Sequence, residues 1–185
     1  MRIAVYSGSF DPLHKGHQAI MEFLTSDREF DWVYLVVSPQ SPFKSELNNL
    51  TALDRYNAAV EAVCRHSELH VWVDDIELHM DPPHYTCRTL DALHQREPEN
   101  DFTLIIGADN LESFRRWQHY DRILLEYGIE VFPREGYDSE RIMEELLSEN
   151  PEYRIHLIDA PLVTISSTLI REGLTEGRDM SEFLM

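Results

Sequence analysis

Short apolar runs alternate along the chain with longer stretches in which apolar residues recur every three or four positions. Arg2–Tyr6 is an apolar run ended by Ser7-Gly8-Ser9, the pattern of a buried strand. A helix follows from about Gly16, with Ala19, Ile20, Phe23 and Leu24 on its inner face. Trp32–Val37 is a second strand, stopped by Ser38-Pro39, and Ser41–Asn49 is a polar loop. Thr51 and Asp54 suit the start of a helix that carries Leu53, Ala58, Val60 and Val63. Leu69–Val73 is a third strand, Asp81-Pro82-Pro83 a loop and Tyr85–Arg96 a helix. Phe102–Ile106 and Ile129–Phe132 are the fourth and fifth strands, ended by Gly107 and Pro133. Asp138 or Ser139 can cap a helix through Leu147, Arg154–Ile158 is a sixth strand, and Ser166–Gly173 is a last helix.

This alternation predicts an α/β fold: a Rossmann-like, doubly wound, mostly parallel sheet with helices on both faces. The 185 residues suit a single domain over 1–185. Open sheets of this kind bind ligands beyond the carboxyl ends of their strands, where strand order reverses. Ser7–His17, Gly107–Asn110 and Ile165–Arg171 follow the first, fourth and sixth strands, so the informative chemistry is expected there.

Composition narrows the partners. Hydrophobic residues make up 43% and charged residues 27%, as in an ordinary globular protein. No apolar run reaches the length of a membrane span, and Met1–Tyr6 turns polar too soon for a signal peptide, so a cytoplasmic location is expected. Cys64 and Cys87 form no short metal or redox pair and read as reduced thiols. A formal charge of -18 argues against nucleic acid or anionic membrane as partner. Any phosphate site must then be a local cationic spot on an acidic body. A homo-oligomer is compatible with all of this.

The loop Gly8-Ser9-Phe10-Asp11-Pro12-Leu13-His14-Lys15-Gly16-His17 has the composition of such a spot. Gly8 and Ser9 let the backbone approach a ligand, and Gly16 removes a side chain near the free amides of a helix start. His14 and His17, three apart, can share one face of the first helical turn. As zinc ligands they lack a clear third partner. They could also be ordinary capping or surface histidines; two of them flanking a glycine after a buried strand shift the reading towards anion binding. Neither G-x-G-x-x-G nor G-x-x-x-x-G-K-[ST] occurs. At the other end, Ile165-Ser166-Ser167-Thr168-Leu169-Ile170-Arg171 places hydroxyls at a helix start, with an arginine fork one turn later. Alone it would read as a plain N-cap.

Ser7–His17 resembles the H-x-G-H signature of the nucleotidyltransferase superfamily, in its nicotinate-nucleotide adenylyltransferase branch, with Ser7 where a second glycine is usual. Residues 165–171 resemble that superfamily's I-S-S-T-x-[IV]-R. Gly107-Ala108-Asp109-Asn110-Leu111 with Trp117 resembles the branch's G-A-D-N-L…W. Tyr85-Thr86-Cys87-Arg88-Thr89-Leu90 resembles S-Y-T-x-x-T-L, although His84 precedes it and Arg88 replaces a common acid. Pro39–Lys44 resembles P-x-x-x-P-H-K with Phe43 for the histidine, and Arg55 falls near a family arginine. The chain stops at Met185, where the family usually continues into a further short helix.

The resemblance implies transfer of AMP from ATP to nicotinate mononucleotide, giving deamido-NAD and pyrophosphate. It implies that Gly8, Ser9, Phe10, His14, Gly16, His17, Gly107, Asp109, Ser167, Thr168 and Arg171 bind ATP. Lys44, Arg55, Tyr85, Thr86, Asp109 and Trp117 would bind the mononucleotide, and His14, His17, Lys44 and Arg171 would serve catalysis. Magnesium would be bound mainly through ATP phosphates, with no protein metal site. Nicotinamide mononucleotide or phosphopantetheine as acceptor, and a non-catalytic nucleotide sensor of the same fold, stay open at this point. A class I aminoacyl-tRNA synthetase fragment is disfavoured by the charge, the short chain and the missing K-M-S-K-S string.

Overall fold

A computed structural model describes residues 1–26, 30–39, 51–160 and 165–185. Six strands, β1 (Arg2–Gly8), β2 (Trp32–Val37), β3 (Val71–Asp74), β4 (Asp101–Gly107), β5 (Ile129–Phe132) and β6 (Ile155–Leu157), form one sheet in the order β3-β2-β1-β4-β5-β6. Every neighbouring pair is parallel. Between them run α1 (Lys15–Ser26), α2 (Ala52–Cys64), α3 (Thr86–Arg96), α4 (Ala108–Ser113), a short α5 (Tyr120–Arg122) and α6 (Ser139–Glu149), and α7 (Ser167–Thr175) follows β6.

Alternation along the strands sorts the core into two layers. Ile3, Val5, Leu104 and Ile106 point to a face covered by Leu90 and Leu93 of α3, Leu111 of α4, and Ile142 and Leu146 of α6. Ala4, Leu35, Val37 and Ile105 point to the opposite face, under Ile20, Met21 and Leu24 of α1 and Ala59 and Ala62 of α2. The helices therefore cover both faces, as the alternation predicted.

Local chemistry sets the element ends. Thr51 caps α2 in a reciprocal box: Asp54 N–H donates to its hydroxyl at 3.1 Å, and Thr51 N–H donates back to the Asp54 carboxylate at 3.0 Å. Asp138, not Ser139, caps α6, accepting from Arg141 N–H at 3.1 Å.

Three inner faces or boundaries differ from expectation. On α1 the buried positions are Gly16, Ile20, Met21 and Leu24, while Ala19 faces solvent. A methyl side chain has too little apolar area to dictate the rotation of a helix. On α2 Leu53 is 58% exposed and Ala58 exposed, while Arg55, Ala59 and Ala62 are buried. The third strand begins at Val71 rather than Leu69, because Leu69 N–H closes a turn on the His66 carbonyl and only its side chain enters the core.

Parallel β1 and β4 lie side by side at the centre of the sheet, and the connections leaving them pass to opposite faces. A crevice opens beyond their carboxyl ends at Gly8 and Gly107.

Candidate active site

The first loop leaves β1 and packs under itself. Phe10 has a positive φ of 45° and its ring is buried, edge-on to Tyr6 at 5.4 Å and to His17 at 5.2 Å between centroids. A Cβ on Gly8 would stand 3.1 Å from that ring, tighter than ordinary van der Waals contact. The His14 and His17 rings stack at 3.7 Å and 24°.

The two histidines are oriented by backbone amides. Gly16 N–H donates to His14 Nδ1 at 3.1 Å, and His14 N–H donates to His17 Nδ1 at 3.2 Å. A neutral imidazole whose Nδ1 accepts carries its proton on Nε2, the atom that can then donate to a ligand. For His14 the neutral form is enforced. Burial first, and then the Arg134 charge, push its pKa from 6.5 down to about 4, only partly opposed by a backbone hydrogen bond. His14 therefore offers a phosphate a donor and no net charge.

The far end of the chain meets this loop. Ser166 caps α7, accepting from Leu169 N–H at 3.2 Å. Ser167 Oγ donates to the Pro12 carbonyl at 3.1 Å, and Arg171 donates to the Asp11 carbonyl at 2.6 Å and to Thr168 Oγ1 at 3.1 Å. Beyond α7, Met180 packs against Gly173, where a Cβ would stand 2.5 Å from its sulfur. The backbone of Leu184 bridges to that of His14, and Arg65 donates to the Met185 carbonyl at 2.8 Å.

Both ends open into one cavity of about 750 Å³ at the switch point, within the range of small-molecule sites. Gly8, Ser9, Phe10, His14, His17, Gly107, Asp109, Ser167, Thr168, Tyr85, Thr86 and Trp117 line it. A side chain at Gly107 would fall 2.3 Å from Asp109 Oδ1, so the glycine makes room for that carboxylate.

Three expected residues lie outside the lining. Gly16 spends its N–H on His14 rather than offering it to a ligand. Arg171 is committed to Asp11 and Thr168 at the junction of loop and helix. Arg55 is buried and donates to the carbonyls of Ser9, Ser38 and Pro39 at 2.6, 2.9 and 2.9 Å, clamping the loops after β1 and β2. Lys44 and Phe43 lie outside the described residues.

The sequence reading missed other lining residues. Arg134, 3.8 Å from Asp109, follows β5, so the strand-end rule applied there as well would have found it. Glu77 is buried, with Oε1 accepting from Thr89 Oγ1 at 2.7 Å and Oε2 without a partner among the described residues. Trp117 packs on Phe114 at 4.9 Å between centroids, and its buried indole N–H likewise lacks a partner. Among the described residues no cluster of three or more His, Cys, Asp and Glu could hold a metal ion, and no helix is long and apolar enough to cross a membrane.

The family model for cytidylyltransferase-like proteins matches residues 5–173. A probable nicotinate-nucleotide adenylyltransferase of Bacteroides fragilis is 37% identical over 99% of this chain and 87% of its own. Its counterpart in Flavobacterium johnsoniae is 34% identical over 100% and 92%. The chain belongs to the nicotinate-nucleotide adenylyltransferase family. The fold agrees: the nicotinic acid mononucleotide adenylyltransferase of Plasmodium falciparum, solved with NaAD, superposes with a TM-score of 0.79 at 21% identity over 99% of this chain and 90% of that one. As a member of this family the chain is a nucleotidyltransferase.

Proposed function

We propose that this protein transfers AMP from ATP to nicotinate mononucleotide, forming deamido-NAD and pyrophosphate. The observation that carries the reading is the convergence of the His14–His17 loop and the Ser166–Thr168 helix start on one cavity whose wall also holds Tyr85, Thr86 and Trp117. The first two segments suit a triphosphate; the last three suit a flat heteroaromatic ring. The relatives' names point the same way.

A phosphate oxygen of the mononucleotide attacks the α-phosphorus, the bond from that phosphorus to the β-bridging oxygen breaks, and pyrophosphate leaves with the electron pair. The attacking phosphate is already anionic near neutral pH, so no protein base is required. The work left to the chain is positioning and charge compensation. His14 and His17 present Nε2–H donors to the phosphates, with His17 nearest the α-phosphate. Ser167 and Thr168 offer hydroxyls and helix-start amides to the β and γ groups. Arg171 fixes the junction of loop and helix, and Arg134 supplies positive charge beside Asp109. Lys44 is assigned to the phosphates. Magnesium, brought in with the nucleotide, would supply further charge neutralisation at the phosphates, with no protein cluster among the described residues to hold it.

The test is pyrophosphate release with ATP against nicotinate mononucleotide, nicotinamide mononucleotide and phosphopantetheine. Release is expected with nicotinate mononucleotide. Turnover of phosphopantetheine alone would overturn the substrate, and silence with all three would mark a nucleotide sensor.

A further inference from the structure

The pyridine end of the cavity, at Tyr85, Thr86 and Trp117, raises the question of what tells an acid from an amide. The cations nearest in sequence are occupied. Arg88 does not line the cavity; it donates to the carbonyls of Asp81 and Pro83 at 3.0 and 2.6 Å. His84 lines it, with Nε2 3.0 Å from the Met80 carbonyl. Arg134 stands by Asp109, and Arg115 binds Glu149 at 2.5 Å.

Arg116 is different. It closes the 3-10 turn Phe114–Arg116, directly precedes Trp117, and lines the same cavity with an exposed side chain. Alone among the described arginines it has no ion pair, hydrogen bond or ring contact within the described residues.

We propose that Arg116 is the specificity-determining residue by which this chain prefers a pyridine carboxylate to a pyridine carboxamide. The proposal rests on the substrate class given above. A free guanidinium keeps all its N–H donors in a planar fork that matches a carboxylate with two charge-assisted hydrogen bonds. A carboxamide offers one acceptor and no charge, so the same contact is weaker. Glu77 also lines the cavity, with one carboxylate oxygen unpartnered among the described residues.

The test compares kcat/KM for nicotinate and nicotinamide mononucleotides in the parent, Arg116→Gln and Arg116→Lys. Arg116→Gln is expected to lower the acid-to-amide ratio about tenfold, through KM for the acid, with KM for the amide changed far less; Lys restores part of the ratio. Added salt should erode the parent's preference and leave that of Arg116→Gln flat. An unchanged ratio overturns the proposal. So does an equal loss with both substrates, which carry the same phosphate and would then share a contact unrelated to the ring. A parent that turns over neither mononucleotide sinks the substrate reading itself, and this proposal with it.

Discussion

His14 gives the most quantitative handle on the site. Its folded-state pKa of about 4 lies below the ordinary value of 6.5, so the folded state binds fewer protons than the unfolded one in that interval. The corresponding stability is present above the unfolded value and is lost as pH falls toward the folded one. The two-state proton balance puts the loss at about 2 kcal/mol between roughly pH 7 and roughly pH 5. The causes are local: burial of a 2% exposed ring first, then the charge of Arg134. His14→Asn is the matched variant, since its Oδ1 can take the Gly16 N–H but cannot accept the proton. Urea unfolding of both proteins at the two pH values gives the comparison, and carboxylates common to both cancel. The parent should lose about 2 kcal/mol more than the variant over that window. Equal losses would refute the enforced neutrality of His14, and with it the picture of a neutral Nε2–H donor facing the phosphates.

Other substitutions probe the remaining contacts. His17→Ala should cut turnover about a hundredfold, on the order of 3 kcal/mol, while ATP affinity measured by calorimetry changes little. Turnover within a few-fold of the parent would remove His17 from the reaction. Arg55→Met strips the donor from three loop carbonyls and should cost about 3 kcal/mol in urea unfolding, with a raised KM for ATP. Gly173→Ala drives a Cβ into Met180 and should destabilise by about 1–3 kcal/mol, a loss that Met180→Ala in the same chain partly reverses in thermal melts.

What could be read from the sequence follows a physical division. Strands buried on both faces declare themselves as apolar runs, and Trp32–Val37 and Ile129–Phe132 match the structure to the residue. Caps are local, and the box at Thr51 and Asp54 was legible for that reason. The segment 108–128 was not assigned. It breaks into α4, a 3-10 turn, α5 and a π turn in which Gly128 N–H reaches the Ile123 carbonyl five residues back, a spacing outside the 3.6-residue period. In the site, glycines, hydroxyls and histidines after strands were visible because their positions are topological. Which carbonyl an arginine chooses is tertiary. Arg55 and Arg171 read as ligand contacts in the sequence, and the structure shows which loop carbonyls each of them also holds. Glu77 and Arg116 sit in short 3-10 turns with no motif to flag them.

The Leu184–His14 bridge ties the last described residues to the backbone of the first loop, which lines the cavity. Binding in the cleft and docking of that tail are then thermodynamically linked, because anything that holds the loop in its bound shape also favours the tail that braces it. Amide hydrogen exchange over 181–185 should slow when ATP is added, although none of these residues lines the cavity. Loosening the tail, in turn, should be felt first as weaker grip on the nucleotide.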